Sequence, residues 1–341
     1  MITCQPPQRS MNKLKTKFTN VSYVVVRKLL PAIDYLLIPF VFLAAWLMKK
    51  IRIWGIHAMP VTKKILLKIG VFPIYDHYYE PQFDHRNPQK EYSEDRQLPG
   101  INWNTANQLN YLKELTYSSE LKDIPNCKTE SRKDFHFNNG AYESGDAEFW
   151  YQILRKEKPK KIIEIGSGYS TLMALKAIEM NKNEDPDYQC ELTCIEPYEF
   201  VWLEELEVNV IRSKVEELDL DFFSSLGSGD ILFIDSTHMI RPDGDVLFEY
   251  LQILPTLKKG VIVHIHDIFS PKNYPKTWLN DHVLFWNEQY LFEAFISENS
   301  HWEIVGALNY LHHNYFHELK TVTPYLSKKR EPGSIYLRRI K

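Results

Sequence analysis

The spacing of apolar and polar positions divides this chain into two unlike parts. From about Asn139 onward, short apolar runs of strand length alternate with stretches whose apolar residues recur at helical spacing. Runs at 161–165, 191–195, 208–211, 229–235 and 260–266 read as buried strands. Between them the pattern predicts helices from Asp146 to about Lys158, from near Ser170, around 218–226, and from Pro242 or Asp243 to Leu257. A helix rich in Trp286, Tyr290, Phe292 and Phe295 is expected over 281–295. Two late apolar runs, near 302–307 and 334–339, predict two further strands. Strands that alternate with helices argue for an α/β fold built on a parallel sheet.

The amino-terminal part has no such alternation. Residues 29–48 carry one charge, Asp34, and are long enough to cross a bilayer, which takes about 20 residues. Lys49, Lys50 and Arg52 close the stretch, and Trp46 and Trp54 suit a membrane interface. Pro31, Pro39 and Asp34 leave a re-entrant or interfacial anchor, or a buried helix, as alternatives to a single span. Basic residues flank both sides (Arg9, Lys13, Lys15, Lys17, Arg27 and Lys28 come before), so charge bias does not set the orientation. Residues 61–70 form a short basic amphipathic segment ending in Gly70, which fits either an anionic membrane surface or a solvated helix face. The expected domains are a basic segment (1–28), a membrane helix (29–48), a connecting module (49–138) and an α/β domain (139–341).

Composition narrows the picture only slightly. The 341 residues include 44% hydrophobic and 13% aromatic ones, enough to fill a sizeable core. A formal charge of −3 gives no nucleic-acid footprint. Cys4, Cys127, Cys190 and Cys194 form no metal-type pair and fit a reducing compartment.

Chemistry concentrates where the strands end. The first strand runs into Gly166-Ser167-Gly168, and a helix starts directly afterwards. Glycine lets the backbone turn sharply and admits a ligand where a Cβ would block it. Thr171 stands where a dinucleotide fingerprint has its third glycine, and no Lys-Ser/Thr pair makes a P-loop. The second strand ends in Glu196, placed to accept hydrogen bonds from ribose hydroxyls. The fourth ends in Asp235 and the fifth in Asp267.

Glu164 ahead of the glycines, Glu196 and Asp235 form a triple pattern that resembles class I S-adenosylmethionine-dependent methyltransferases. The resemblance implies a Rossmann-like sheet closed by an antiparallel hairpin, with S-adenosylmethionine (SAM) as cofactor. It implies cofactor roles for Glu164, Gly166, Ser167, Gly168, Ser170, Thr171, Glu196 and Asp235. The segment from Val263 to Pro271, with Tyr274, Pro275 and Trp278, resembles a bacterial membrane-associated subgroup distantly similar to macrolide-sugar O-methyltransferases. The residues from Phe72 to Pro81 and Leu98-Pro99-Gly100 resemble that subgroup too. The acceptor it implies is a sugar hydroxyl on a surface glycan or lipid-linked saccharide, with the catalytic domain on the cytoplasmic side. The segment Asp235-Ser236-Thr237-His238 also resembles cephalosporin hydroxylase-like proteins, and a non-catalytic tethered scaffold is the third alternative.

Three readings compete at the ends of strands four and five. Asp235 and Asp267 suit a divalent cation such as Mg2+, which takes oxygen ligands. His266 or His238 suits a general base, with Asp267 beside them. The third reading has the histidines packed and Asp235 holding cofactor only. His313 and His317, four apart, are a weaker metal-ligand pattern on an expected lid helix near His312. The partner expectations are the saccharide or lipid-linked acceptor and the membrane through 29–48 and 61–70, with no nucleic acid and with homo-oligomerisation left open.

Overall fold

The computed structural model describes residues 20–88 and 90–341, with side chains from Leu29 onward. The expected basic segment 1–28 therefore lies outside the described residues, apart from the backbone of its last turns.

The chain divides into two compact units, one of which ends at Gln89 and the other of which begins its continuous run at Lys90. The expected connecting module 49–138 is thus split between them. Its second half packs into the sheet domain because Ile101, Tyr111, Leu112, Leu115 and Leu121 are buried there.

In the amino-terminal unit, α1 (Asn20–Trp54) is one continuous helix that includes Pro31 and Pro39. Its stretch Leu29–Trp54 is long and apolar enough to cross a membrane, and none of its most apolar window is buried. Tyr35, Leu36, Phe40 and Phe42 all stand in the open. A short 3-10 turn (Ile56–Ala58) leads to α2 (Pro60–Ile69), which Gly70 ends in the left-handed conformation with its N–H on the Leu66 carbonyl. Arg52 donates two hydrogen bonds to the Glu80 carboxylate, at 2.7 and 3.0 Å.

In the second unit, α3 (Thr105–Glu114) and α4 (Asp146–Glu157) precede the first strand, β1 (Lys161–Ile165). Then come α5 (Tyr169–Glu184), β2 (Glu191–Ile195), β3 (Asn209–Ile211), α6 (Leu220–Phe223) and β4 (Ile231–Ile234). Next, α7 (Asp245–Phe248), a π-helical turn (Glu249–Ile253) and α8 (Leu254–Thr256) follow one another without a break, and a short turn leads to β5 (Ile262–Ile265). The remainder is α9 (Lys276–Asn280), α10 (Glu288–Ile296), β6 (Trp302–Ala307), α11 (Leu308–Asn314), α12 (Phe316–Val322) and β7 (Ile335–Arg339).

The seven strands lie in the order β3-β2-β1-β4-β5-β7-β6. The first five are parallel, and β7 slots antiparallel between β5 and β6. The order reverses beside β1, so the carboxyl ends of β1 and β4 flank the crevice where open α/β sheets bind ligands. Alternate residues of each strand point to opposite faces. Ile162, Cys194, Phe233 and Tyr336 join one apolar layer with α4 and α5. Ile163, Ile165, Leu232, Ile234, Val263 and Leu337 join the other.

Two expected helices differ from the observed ones. The 281–295 helix starts only at Glu288, so Trp286 sits in the loop before it. The helix after β4 starts at Asp245 and is interrupted by the π turn, through which the buried Glu249 and Tyr250 both reach polar partners.

Candidate active site

Gly166 ends β1 at φ +76°, in the left-handed region that favours glycine. A Cβ there would collide with the carbonyl oxygen of Asp235. The turn is thereby locked against β4: Asp235 N–H donates to Ile165 O at 2.8 Å, and Gly166 N–H donates to Ile195 O at 3.0 Å. Gly168 lies beneath the Phe200 ring, which a Cβ would approach to 3.1 Å.

Beneath the turn, Glu164 is fully buried. Thr171 Oγ1 donates to Glu164 Oε2 at 2.5 Å and accepts from Gly168 N–H at 3.0 Å. Burial pushes the Glu164 carboxyl up to about 7, against hydrogen bonds from Ser170 and Thr171 that lower it. Glu164 thus braces the glycine turn from below. At the end of β2, Glu196 Oε1 accepts N–H bonds from Tyr198 (3.0 Å) and Glu199 (2.9 Å), which fixes its carboxylate at the crevice.

The carboxyl ends of β4 and β5 bring four expected residues together. His238 Nε2 lies 3.2 Å from Asp235 Oδ1 and 3.4 Å from Asp267 Oδ2. His266 Nδ1 lies 3.4 Å from Asp235 Oδ1 and 3.6 Å from Asp267 Oδ1. His238 and Asp267 hold φ of 61° and 62°, a backbone strain of about 1–3 kcal/mol each that is typical of functional sites. Burial would keep His266 neutral, but Asp267 and Asp235 outweigh it and hold the imidazole up at about 10. His238 is raised for the same kind of reason: burial opposes its charge, and Asp235, Glu288 and Asp267 overcome it. Burial pushes Asp235 up, yet the facing imidazoles keep it well below the usual carboxylate range.

His264 shares the strand face of His266 but plays another part. Its Nε2 pairs with Ser334 Oγ at 2.8 Å, and its ring stacks on Tyr336 at 4.1 Å. Burial and the charge on His266 keep it neutral. His313 and His317 do not share a helix, since Tyr315 separates α11 from α12; His313 pairs instead with Glu331 at 2.8 Å.

Several site residues escape sequence reasoning. Glu288 Oε2 lies 2.8 Å from His238 Nδ1, and its Oε1 accepts from Tyr250 OH at 3.1 Å. Trp286 packs on the His238 ring at 4.3 Å. Asp146 accepts from Gly333 N–H at 3.0 Å, and burial, partly offset by His266, pushes its carboxyl up to about 6. Glu249 accepts from Ser236 Oγ at 3.0 Å. The available signal was a carboxylate set inside an otherwise apolar helical stretch, as at Glu249 and Glu288.

Residues 163–268 match a family described as "Methyltransferase domain". Over this stretch the chain is similar to that family. The match begins in β1 and ends one residue past Asp267, so it takes in Glu164, the glycine turn, Glu196, Asp235, His238 and His266. An uncharacterized protein of Archaeoglobus fulgidus is 31% identical over 138 residues, which is 39% of this chain and 61% of that protein. The chain therefore spans less than two thirds of that relative. Among solved structures, the MycE methyltransferase of the mycinamycin biosynthetic pathway, in complex with Mg, SAH and mycinamycin VI, is 14% identical. That likeness covers 57% of this chain and 49% of MycE at a TM-score of 0.31. Human N-acetylserotonin methyltransferase in complex with SAM is 12% identical over 69% of this chain and 70% of its own, at a TM-score of 0.27.

Proposed function

We propose that this chain is a membrane-associated, SAM-dependent methyltransferase that forms an O-methyl group on a sugar hydroxyl of a glycan or lipid-linked acceptor. The observation that carries the reading is the methyltransferase-domain match laid over a sheet whose last strand is inserted antiparallel between β5 and β6. The glycine turn and Glu196 support a nucleoside cofactor in the crevice. The exposed apolar α1 supports membrane association, and the basic α2 beside it in sequence suits an anionic surface.

Methyl transfer asks little of the protein. The sulfonium carries its own leaving group, so the enzyme must align nucleophile, methyl and sulfur, and remove a proton. In this reading His238 is the proton acceptor. Glu288 at Nδ1 orients the ring and leaves Nε2 facing the cluster, which is the division of labour seen wherever a carboxylate orients a catalytic imidazole. Asp235, Glu288 and Asp267 favour the charged form of His238, so positive charge that offsets them is what makes it a base. Asp267 and His266 position the acceptor hydroxyl from the β5 side.

Asp235 and Asp267 fit a divalent cation, since their carboxylate oxygens lie within 4.8 Å of each other, and His238 Nε2 beside them stays free for the proton. A bound Mg2+ would supply Lewis acidity and orient acceptor oxygens.

The test is calorimetric titration of SAM and SAH into the full-length protein in detergent, with and without Mg2+. Binding of both is expected. No binding by a demonstrably folded protein would overturn the reading.

A further inference from the structure

A second cluster lies in the chain between β6 and β7. His312 and His313 lie in the last turn of α11, and Glu331 comes from the segment leading into β7. His313 Nε2 and Glu331 Oε2 stand 2.8 Å apart. Each of the three residues offers a ligand atom within 4.8 Å of the others. Donors about 2.1 Å from a tetrahedral ion stand about 3.4 Å apart, which lies inside the 4.8 Å span of the three ligand atoms. His312 is 5% exposed, and its Nδ1 is buried with no hydrogen-bond partner. A buried, unpaired imidazole nitrogen costs free energy unless something binds it. Asn309 Nδ2 donates to Glu331 Oε2 at 2.9 Å and so orients the carboxylate, as outer-shell partners of metal ligands do.

The geometry points to a zinc-binding site made by His312, His313 and Glu331, with water in the fourth position. Two imidazoles and one carboxylate suit zinc better than Mg2+ or Ca2+, which take oxygen-rich sets. Zinc binding here does not require the proposed methyl transfer, while the purpose given below rests on that reading.

Its place in the fold gives it a purpose. The residues directly after Glu331 support the active-site floor. Asn309 Nδ2 also holds Pro332 O at 3.1 Å. Gly333 N–H binds Asp146, Gly333 O accepts from Ile268 N–H at 2.6 Å, and Ser334 Oγ pairs with His264. An ion at Glu331 ties this strap to α11 and stiffens the floor beneath His266 and Asp267.

The experiment uses tag-free, full-length protein stripped with a chelator. Zinc binding is measured by competition with a chromophoric chelator, and local order by hydrogen exchange of residues 331–334. Four proteins are compared: the parent, His313→Ala, Glu331→Gln and Asp267→Asn. His313 and Glu331 are part-exposed, so their variants should fold. The expected result is one zinc bound by the parent and by Asp267→Asn, with slower exchange in the strap. His313→Ala and Glu331→Gln should bind at least about tenfold more weakly and show no zinc-dependent protection. Equal binding by these two variants and the parent, or loss of binding only in Asp267→Asn, would overturn the proposal. So would a folded parent that takes up no zinc.

Discussion

Glu288 holds the Nδ1 atom of His238 at 2.8 Å, although the two residues are 50 positions apart in the chain. Both side chains are buried, and Tyr250 completes the carboxylate's hydrogen bonding. The pair fixes the ring so that its other nitrogen faces Asp235 and Asp267. Glu288→Gln keeps the shape and removes the charge. We expect turnover to fall by about 100-fold, with SAM affinity unchanged, because the residue acts through His238 and not on the cofactor. Steady-state kinetics beside calorimetry would show this; a parallel loss of SAM binding would mean that the crevice itself had been disturbed.

Gly166→Ala tests the lock between the glycine turn and β4. The new Cβ meets Asp235 O, and the backbone sits at φ +76°. A destabilisation of at least about 2 kcal/mol is expected, with SAM binding lost. Chemical denaturation measures the first and calorimetry the second, and an unperturbed variant would show that the turn is looser than drawn.

Glu196→Ala removes the proposed ribose acceptor and frees the Tyr198 and Glu199 N–H groups. Loss of a charged hydrogen bond is worth roughly 1.5–3 kcal/mol, or about 10- to 100-fold in SAM affinity. Isothermal titration with SAH gives the number, and an unchanged affinity would remove Glu196 from the cofactor site.

The buried Glu164 gives stability a pH dependence of definite sign. Its folded pKa of about 7 lies above the ordinary 4.5, so the folded chain holds more protons than the unfolded chain between these values. Stability contributed by this group is therefore complete below about pH 4.5 and declines as pH rises toward 7, by roughly 3 kcal/mol in all. Asp146, pushed to about 6, adds to the same slope. Glu164→Gln should flatten the difference between pH 5 and pH 8 in urea denaturation. A variant whose pH profile tracked the parent's would show that Glu164 is not the group responsible.

The exposed apolar surface of α1 predicts that the full-length protein sediments with membranes and needs detergent for release. Fractionation with carbonate washing checks this. Recovery in the soluble fraction without detergent would remove the membrane from the proposed function.

The strand pattern made the α/β sheet legible in the sequence, because buried strands and helices between them carry distinct periods of apolar residues. The strand-end acids Glu196, Asp235 and Asp267 were legible for the same reason: a carboxylate that closes an apolar run has few places to go except the crevice. Sequence also singled out His238 and His266. Its place nearest the strand end set His266 apart from His264, which shares its strand face, but only packing shows that Ser334 and Tyr336 enclose His264 while carboxylates surround His266. The sequence did not find Glu288, Tyr250 or Asp146, whose roles depend on loops and helices folding back over the sheet from distant positions. Local spacing determines which face of an element a side chain takes. Which charge it meets across a crevice is decided by the sheet order and the connections, and those exist only once the chain has folded.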